Sequence, residues 1–268
     1  VQGVVSWIRE QGFKSLNVDL VYGLPNQTPD RFKKTLDHIL AIMPERLAVY
    51  SYAHLPRLMP AQKLINDEEL PTSDQKMSLL KMAIEYLTAN GYVYIGMDHF
   101  ARADEELVEA LNNGTLQRNF QGYSTHAEAD MYAFGMSGIS QPGRMHYQNS
   151  KELPAYYKAL DGGRLPVIKM RDVSRDDLIR RDAIMRIMCK RALDLDELAA
   201  TWSIDARAYF AEEMGKLEEM ENDGLVKRSP QGFEVTGSGQ LFLRNIAMIF
   251  AAYLQKHRKT RKVYSKTV

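Results

Sequence analysis

The first half of the chain alternates extended apolar runs with amphipathic helical stretches, and this order most restricts what it can fold into. Strand–helix–strand repeats place strands parallel and join them by right-handed crossovers. The spacing predicts a helix over Val1–Gln11 closed by Gly12, then a strand over Ser15–Tyr22 that ends in the turn Gly23-Leu24-Pro25. Thr28 is a helix N-cap with Pro29 at the first helical position, and Phe32, Leu36, Ile39 and Leu40 recur on one helical face. Leu47–Tyr52 is the next strand, with its exit at His54-Leu55-Pro56. After a loop reaching Pro71, Thr72 or Ser73 caps a helix through Leu79, Leu80, Ala83, Ile84 and Leu87, which Asn90-Gly91 stops. Tyr92–Met97 is a third strand with Asp98-His99-Phe100 at its end, Asp104–Asn112 a short helix, and Asp130–Ile139 a fourth strand. Residues 114–130 show no period. Three or four strands make half a barrel or part of an open sheet, with an unpaired edge.

The character changes at about Ser174. Helices are expected over Asp177–Arg191, from Leu195, and from an Asp205 cap to Glu221. Two short strands, Gly224–Arg228 and Gly232–Val235, flank Ser229-Pro230-Gln231, and Thr236 caps a last helix through Leu241, Ile246, Ile249 and Leu254. Three helices and a two-strand wing form a winged-helix pattern. The reading is therefore an α/β unit over 1–173 and a mostly helical, winged-helix-like unit over 174–268. The segment Lys256–Lys262 is basic and is expected to fray.

Composition narrows the function classes. The 268 residues are 45% hydrophobic and 26% charged, with a net charge of +1, so no global field points to nucleic acid or a membrane surface. The third helix of the wing unit carries Glu212, Glu213, Glu218, Glu219 and Glu221 and would repel phosphates. No apolar run approaches the roughly 20 residues of a membrane span. A single cysteine, Cys189, forbids an internal disulfide and suits the cytoplasm. It lies among Ile184, Ile187 and Met188 and reads as a core residue. His38, His54, His99, His126 and His146 are scattered without metal-ligand spacing, so no metal site is expected in this chain. The opening residues lack Met and read as the inside of a helix, which suggests a piece of something longer.

Strand C-terminal ends carry the unusual residues, where α/β folds keep their sites. Asp19 sits among apolar neighbours, and either caps a backbone turn or meets a ligand's hydroxyl or amine. Tyr50, Ala53 and His54 mark the second strand end, and Asp98, His99 and Phe100 the third. The stretch Arg118–Thr125 combines cationic, aromatic and amide groups beside Gly122, as either a lid over a flat ligand or a polar surface loop.

Five segments, taken in order, resemble one family. They are Asn17–Pro25, Tyr52–Pro56, Gly96–Ala101, Arg118–Thr125 and Gly135–Ser140. This order is similar to that of oxygen-independent coproporphyrinogen III oxidases, and the winged end resembles their C-terminal domain. The first segment is shared with other radical S-adenosylmethionine proteins. The Asp98-His99 and Phe120-Gln121 segments are more specific and separate the chain from related heme chaperones. The resemblance implies the C-terminal half of a partial (β/α)6 barrel, two S-adenosylmethionine molecules and a [4Fe–4S] cluster. It also implies oxidative decarboxylation of two propionates of coproporphyrinogen III to vinyl groups, giving protoporphyrinogen IX for heme.

By motif match, Asp19 and Ala53 would touch the second S-adenosylmethionine, and Ile139 the first through backbone groups. Tyr50 stands where the family is expected to have Phe. Phe120 and Gln121 would lie near the substrate or the second cofactor molecule, with His99, Asp98 and Arg118 as further pocket residues. Arg118 and Arg102 are candidates to pair with substrate carboxylates, Arg102 equally with a plain surface role. The family's C-x3-C-x2-C ligands have no counterpart here, since the one Cys lies in the wrong unit. The expectation is thus a chain inactive alone and completed by an N-terminal barrel part, with an undetermined electron acceptor. The alternative is a non-catalytic paralogue that binds a tetrapyrrole or acts as a scaffold. The unpaired edge also predicts self-association.

Overall fold

A computed structural model describes residues 2–119, 121–126 and 129–253. Helix α1 (Gln2–Glu10) leads into β1 (Asn17–Tyr22), α2 (Pro29–Ile42) and β2 (Arg46–Ser51). Thr28 accepts the Arg31 amide as the N-cap of α2, with Pro29 beside it. Two 3-10 turns lead to α3 (Ser73–Thr88), where Thr72 and Gln75 form a reciprocal capping box. Strands β1 and β2 pair in parallel, from Asn17 opposite Arg46 to Tyr22 opposite Ser51.

The third strand does not extend this parallel pairing. β3 (Tyr92–Gly96) turns back at Met97-Asp98 into β4 (His99–Arg102). β4 inserts antiparallel between β2 and β3, giving the order β1-β2-β4-β3. Asp98-His99-Phe100, expected to trail off a strand end, is thus a turn residue followed by a central strand. The reversal depends on positive φ at Gly96 (149°) and Met97 (53°).

One face of this sheet is packed and the other is open. Leu20, Tyr22, Leu47, Val49 and Phe100 face α2 and α3 in a core with Phe32, Leu36, Leu79 and Leu87. The strand period of two sends Asn17, Asp19, Val21, Arg46, Ala48, Tyr50 and His99 to the opposite face.

Beyond α4 (Glu106–Asn112), the region read as aperiodic contains a hairpin of β5 (Gln117–Asn119) and β6 (Gly122–Ser124). The fourth strand expected over Asp130–Ile139 is not formed. Only a bridge from Met131 to Gln141 and β7 (Ile139–Ser140) are extended there, because Gly135 (φ 90°) and Ser137 (φ 60°) break the run. Side chains satisfy the irregular backbone instead: Asn149 donates to the Ala133 and Gly135 carbonyls, and Ser140 Oγ accepts from Ala133. β8 (Met145–Asn149), α5 (Leu153–Asp161) and β9 (Val167–Asp172) complete a small antiparallel sheet, β7-β8-β9, that the sequence did not reveal.

A Ser174–Asp177 capping box opens α6 (Arg175–Lys190). β10 (Ala192–Asp194) and α7 (Leu195–Trp202) follow. The helix expected from Asp205 to Glu221 breaks at Phe210 into α8 (Ala206–Tyr209) and α9 (Ala211–Asn222), and the Phe210 ring is fully buried. The wing strands β11 (Val226–Ser229) and β12 (Gly232–Val235) form a three-stranded sheet with β10. Thr236 caps a 3-10 turn over Gly239–Phe242 rather than the last helix, α10 (Leu243–Ile249). The basic segment 256–262 lies outside the described residues. A second core joins these helices to β3, α4 and the hairpin, with Ile179, Ile187, Phe210, Leu217 and Phe250 packed beside Ile95, Leu107 and Tyr123.

Candidate functional site

The open face of the sheet and the β5–β6 hairpin enclose a cavity of about 380 Å³ lined by Asp19, Arg46, Tyr50, His99, Gln121 and Tyr123. Sequence reasoning placed Asp19 among apolar neighbours. The alternation of β1 exposes it instead, and its Oδ1 accepts 2.7 Å from the Asn17 amide, its neighbour at i−2 on the same face. Asn17 was not singled out as a site residue, although that spacing in a strand was its signal.

His99 is the most constrained group of the cavity. Its ring meets Tyr123 edge-on at 5.3 Å and Tyr50 edge-on at 6.4 Å. Gly122 lies against it, and a Cβ there would come within 2.7 Å of Nε2. Burial first, then the positive charge of Arg118, pushes its pKa down to about 4, so the imidazole is neutral near pH 7. Its Nδ1 is buried without a hydrogen-bond partner among the described residues.

A second cavity, of about 670 Å³, opens at the strand ends on the other side of Tyr50 and is lined by Ala53, His54, Lys76, Asp98 and Arg244. Tyr50 lines both cavities. Burial raises the Asp98 carboxyl above its ordinary range, against the opposing pull of Arg244 and Arg118. Lys76 donates to the Tyr52 carbonyl at 3.2 Å. Lys76 and Arg244 escaped sequence reasoning, because each is a lone cation on a helix and only the tertiary fold carries it to this cavity.

The expected site residues do not all converge. Asp19, Tyr50, His99 and Gln121 share the smaller cavity, and Tyr50, Ala53 and Asp98 the larger. Arg118 stands over the Tyr123 ring at 5.7 Å and lines a hollow of about 270 Å³ against α6 and α10. Ile139 is in β7 and lines none of these spaces. Phe120 lies outside the described residues. Arg102 is not a carboxylate receptor: it is held by Asp104 at 2.7 Å and Glu45 at 3.4 Å, away from both cavities.

The open face suits a ligand with amine and hydroxyl groups, such as S-adenosylmethionine, since the exposed Asp19 carboxylate and the orphaned His99 Nδ1 can each take one. An iron–sulfur cluster fits nothing among the described residues. The one cysteine is buried and burial pushes its thiol up to about 12, the opposite of a thiolate ligand. Among the described residues, no group of three or more His, Cys, Asp or Glu could hold a metal ion. No described helix is long and apolar enough to cross a membrane.

A mixed sheet with one open face, joined to a winged helical unit, is the architecture that this chain shares with the C-terminal part of a solved radical S-adenosylmethionine enzyme. The chain superposes on the solved structure of coproporphyrinogen III oxidase (HemN) from Escherichia coli, described as a Radical SAM enzyme, with a TM-score of 0.90 and 43% identity over 94% of this chain and 58% of that one. The family described as HemN C-terminal domain matches residues 173–242. The oxygen-independent coproporphyrinogen III oxidase of Thermostichus vulcanus is 42% identical over 99% of this chain and 81% of its own length. That of Pseudomonas aeruginosa is 43% identical over 96% of this chain and 56% of its own length. The chain belongs to the oxygen-independent coproporphyrinogen III oxidase family. It spans little more than half the length of most of the curated relatives it matches, as the 56% and 58% coverages show.

Proposed function

We propose that the chain forms one wall of the active site of a cytoplasmic enzyme that oxidatively decarboxylates two propionates of coproporphyrinogen III in heme synthesis. The observation that carries this is the convergence of Asp19, Tyr50, His99 and Gln121 on one open sheet face, in a chain that belongs to this family. The described part of 1–173 builds that wall and its hairpin lid, and the described helices from α6 onward pack beside Ile95, Leu107 and Tyr123.

Asp19 holds the cofactor's amine or ribose hydroxyls from the open face, and Ala53 lets a ligand approach the end of β2. When bound, S-adenosylmethionine supplies hydrogen-abstracting radical chemistry, with two molecules expected. The neutral His99 offers Nδ1 as a hydrogen-bonding group without adding charge, and Tyr50 and Tyr123 hold its ring in place. Gln121 covers the substrate from the hairpin. Ile139 offers backbone groups to the other cofactor molecule. The cluster's ligands and the electron acceptor come from outside this chain.

The test joins the chain to the N-terminal part that its relatives carry, loads the joined protein anaerobically with iron and sulfide, and measures protoporphyrinogen IX formed. The joined protein should be active, and Asp19→Asn should lower its rate by about tenfold or more while leaving cluster absorbance unchanged. A fully loaded joined protein that makes no product would overturn the reading.

A further inference from the structure

Several arginines among the described residues are neutralised at close range. Arg9, Arg46, Arg102, Arg207 and Arg228 each meet a carboxylate oxygen at 2.5–2.8 Å. Arg244 differs. Its nearest carboxylate oxygen, Asp98 Oδ2, stands at 3.7 Å, and 45% of its side chain is exposed. It belongs to α10, in the C-terminal helical unit, yet it lines the 670 Å³ cavity at the strand ends of the sheet.

Arg118 approaches from the other side. It lines the 270 Å³ hollow together with Arg244, and its Nε is buried without a hydrogen-bond partner among the described residues. Both guanidinium groups act on the same carboxyl, that of Asp98. Lys76, across the larger cavity, is bonded to a carbonyl, which leaves its charge uncompensated by that contact. Two guanidinium groups thus act on a single carboxylate, and an ammonium lines the same cavity as that carboxylate. A guanidinium N–H buried without an acceptor is costly. The arrangement is balanced when a further anionic acceptor enters.

The walls say what carries that anion. Met77, Leu80, Leu241 and Leu243 give the cavity an apolar side, and its volume of about 670 Å³ lies within the usual range of pockets for compact organic ligands, ~300–1,000 Å³. A ligand with a large apolar ring and peripheral carboxylates matches both halves.

We propose that Arg244, with Lys76 lining the same cavity and Arg118 in the adjoining hollow, forms a seat for a propionate carboxylate of the tetrapyrrole, so that the C-terminal helical unit contributes directly to substrate binding. This rests on the function proposed above. Asp98 holds Arg244 loosely while the seat is empty. An incoming carboxylate takes the guanidinium in the bidentate geometry that the 3.7 Å pair lacks.

The experiment titrates the chain, joined to the N-terminal part that its relatives carry, with coproporphyrin III, the aromatic ring system bearing the same four propionates, and with its neutral tetraamide, following porphyrin fluorescence. Arg244→Gln should weaken coproporphyrin III binding about tenfold and leave the tetraamide unchanged. Arg244→Lys should recover part of the loss, and Asp98→Asn should tighten binding by removing the competing carboxylate. Equal affinity of wild type and Arg244→Gln for coproporphyrin III would overturn the seat while leaving the proposed function standing. An equal loss for both porphyrins would mean that Arg244 acts on structure alone, and would also overturn it. A wild-type joined protein that binds neither porphyrin would overturn both the seat and the reading on which it rests.

Discussion

His99 links the site to pH. Its folded-state pKa of about 4 lies below the ordinary histidine value of 6.5, so the unfolded chain binds a proton that the folded chain refuses between those values. Stability therefore rises with pH across this window, and is lost as pH falls from 6.5 toward 4. The contribution is on the order of 3 kcal/mol at most. His99→Gln should flatten this acid limb: urea midpoints at pH 7 and pH 5 should lie closer together in the variant than in the wild type. Asp98 acts with the opposite sign, because its raised pKa makes the folded form bind more protons, so only the difference between variant and wild type isolates His99. The strand period of two was enough to place Asp19 and Tyr50 on a common face. It could not show that His99 would sit between two tyrosines, since Tyr123 arrives from a hairpin without sequence periodicity.

At the scale of elements, the β3–β4 reversal positions the site. Gly96 has φ 149°, and a Cβ there would come within 2.6 Å of the Tyr123 hydroxyl. That hydroxyl donates to the Met188 carbonyl at 3.1 Å and ties the hairpin to α6. Arg191 adds a second tie, donating to the Tyr94 and Ile95 carbonyls at 2.9 and 3.0 Å. Gly96→Ala should cost on the order of 2 kcal/mol by backbone strain and loss of the Tyr123 bond, read as a lower urea midpoint. An unchanged midpoint would show that the turn and hairpin relax without cost. The first two strands, α2 and α3 were legible because caps and apolar periods agree along them, as at Thr28 and Thr72. β4 was not, because His99–Arg102 is four residues long and its pairing partners are brought to it by the turn. The β7-β8-β9 sheet stayed hidden for a similar reason: β9 is mostly exposed and shows little apolar alternation.

Across the whole molecule, apolar surface is unevenly covered. α1 buries none of its residues, and Trp7 and Phe13 at this end of the chain are 66% and 64% exposed. Around the small sheet, Phe134, Leu165, Met170 and Ile168 are exposed at 92, 75, 67 and 53%. β1 is an edge strand with a free row of backbone groups. These features predict that the 268-residue chain, expressed alone, associates with itself. Size-exclusion chromatography should show oligomers or aggregate, and a monomer that unfolds cooperatively would refute this. By itself, the sequence determined the alternating α/β order, the helical wing unit, the family and the absence of a cysteine set, because caps, periods and residue counts are local or additive properties. Only the tertiary structure decided that β4 runs antiparallel inside the sheet, that Arg102 is spent on Asp104 and Glu45, and that Arg244 reaches a cavity at the strand ends. Those outcomes depend on which distant segments share a cavity, a relation that spacing along the chain does not encode.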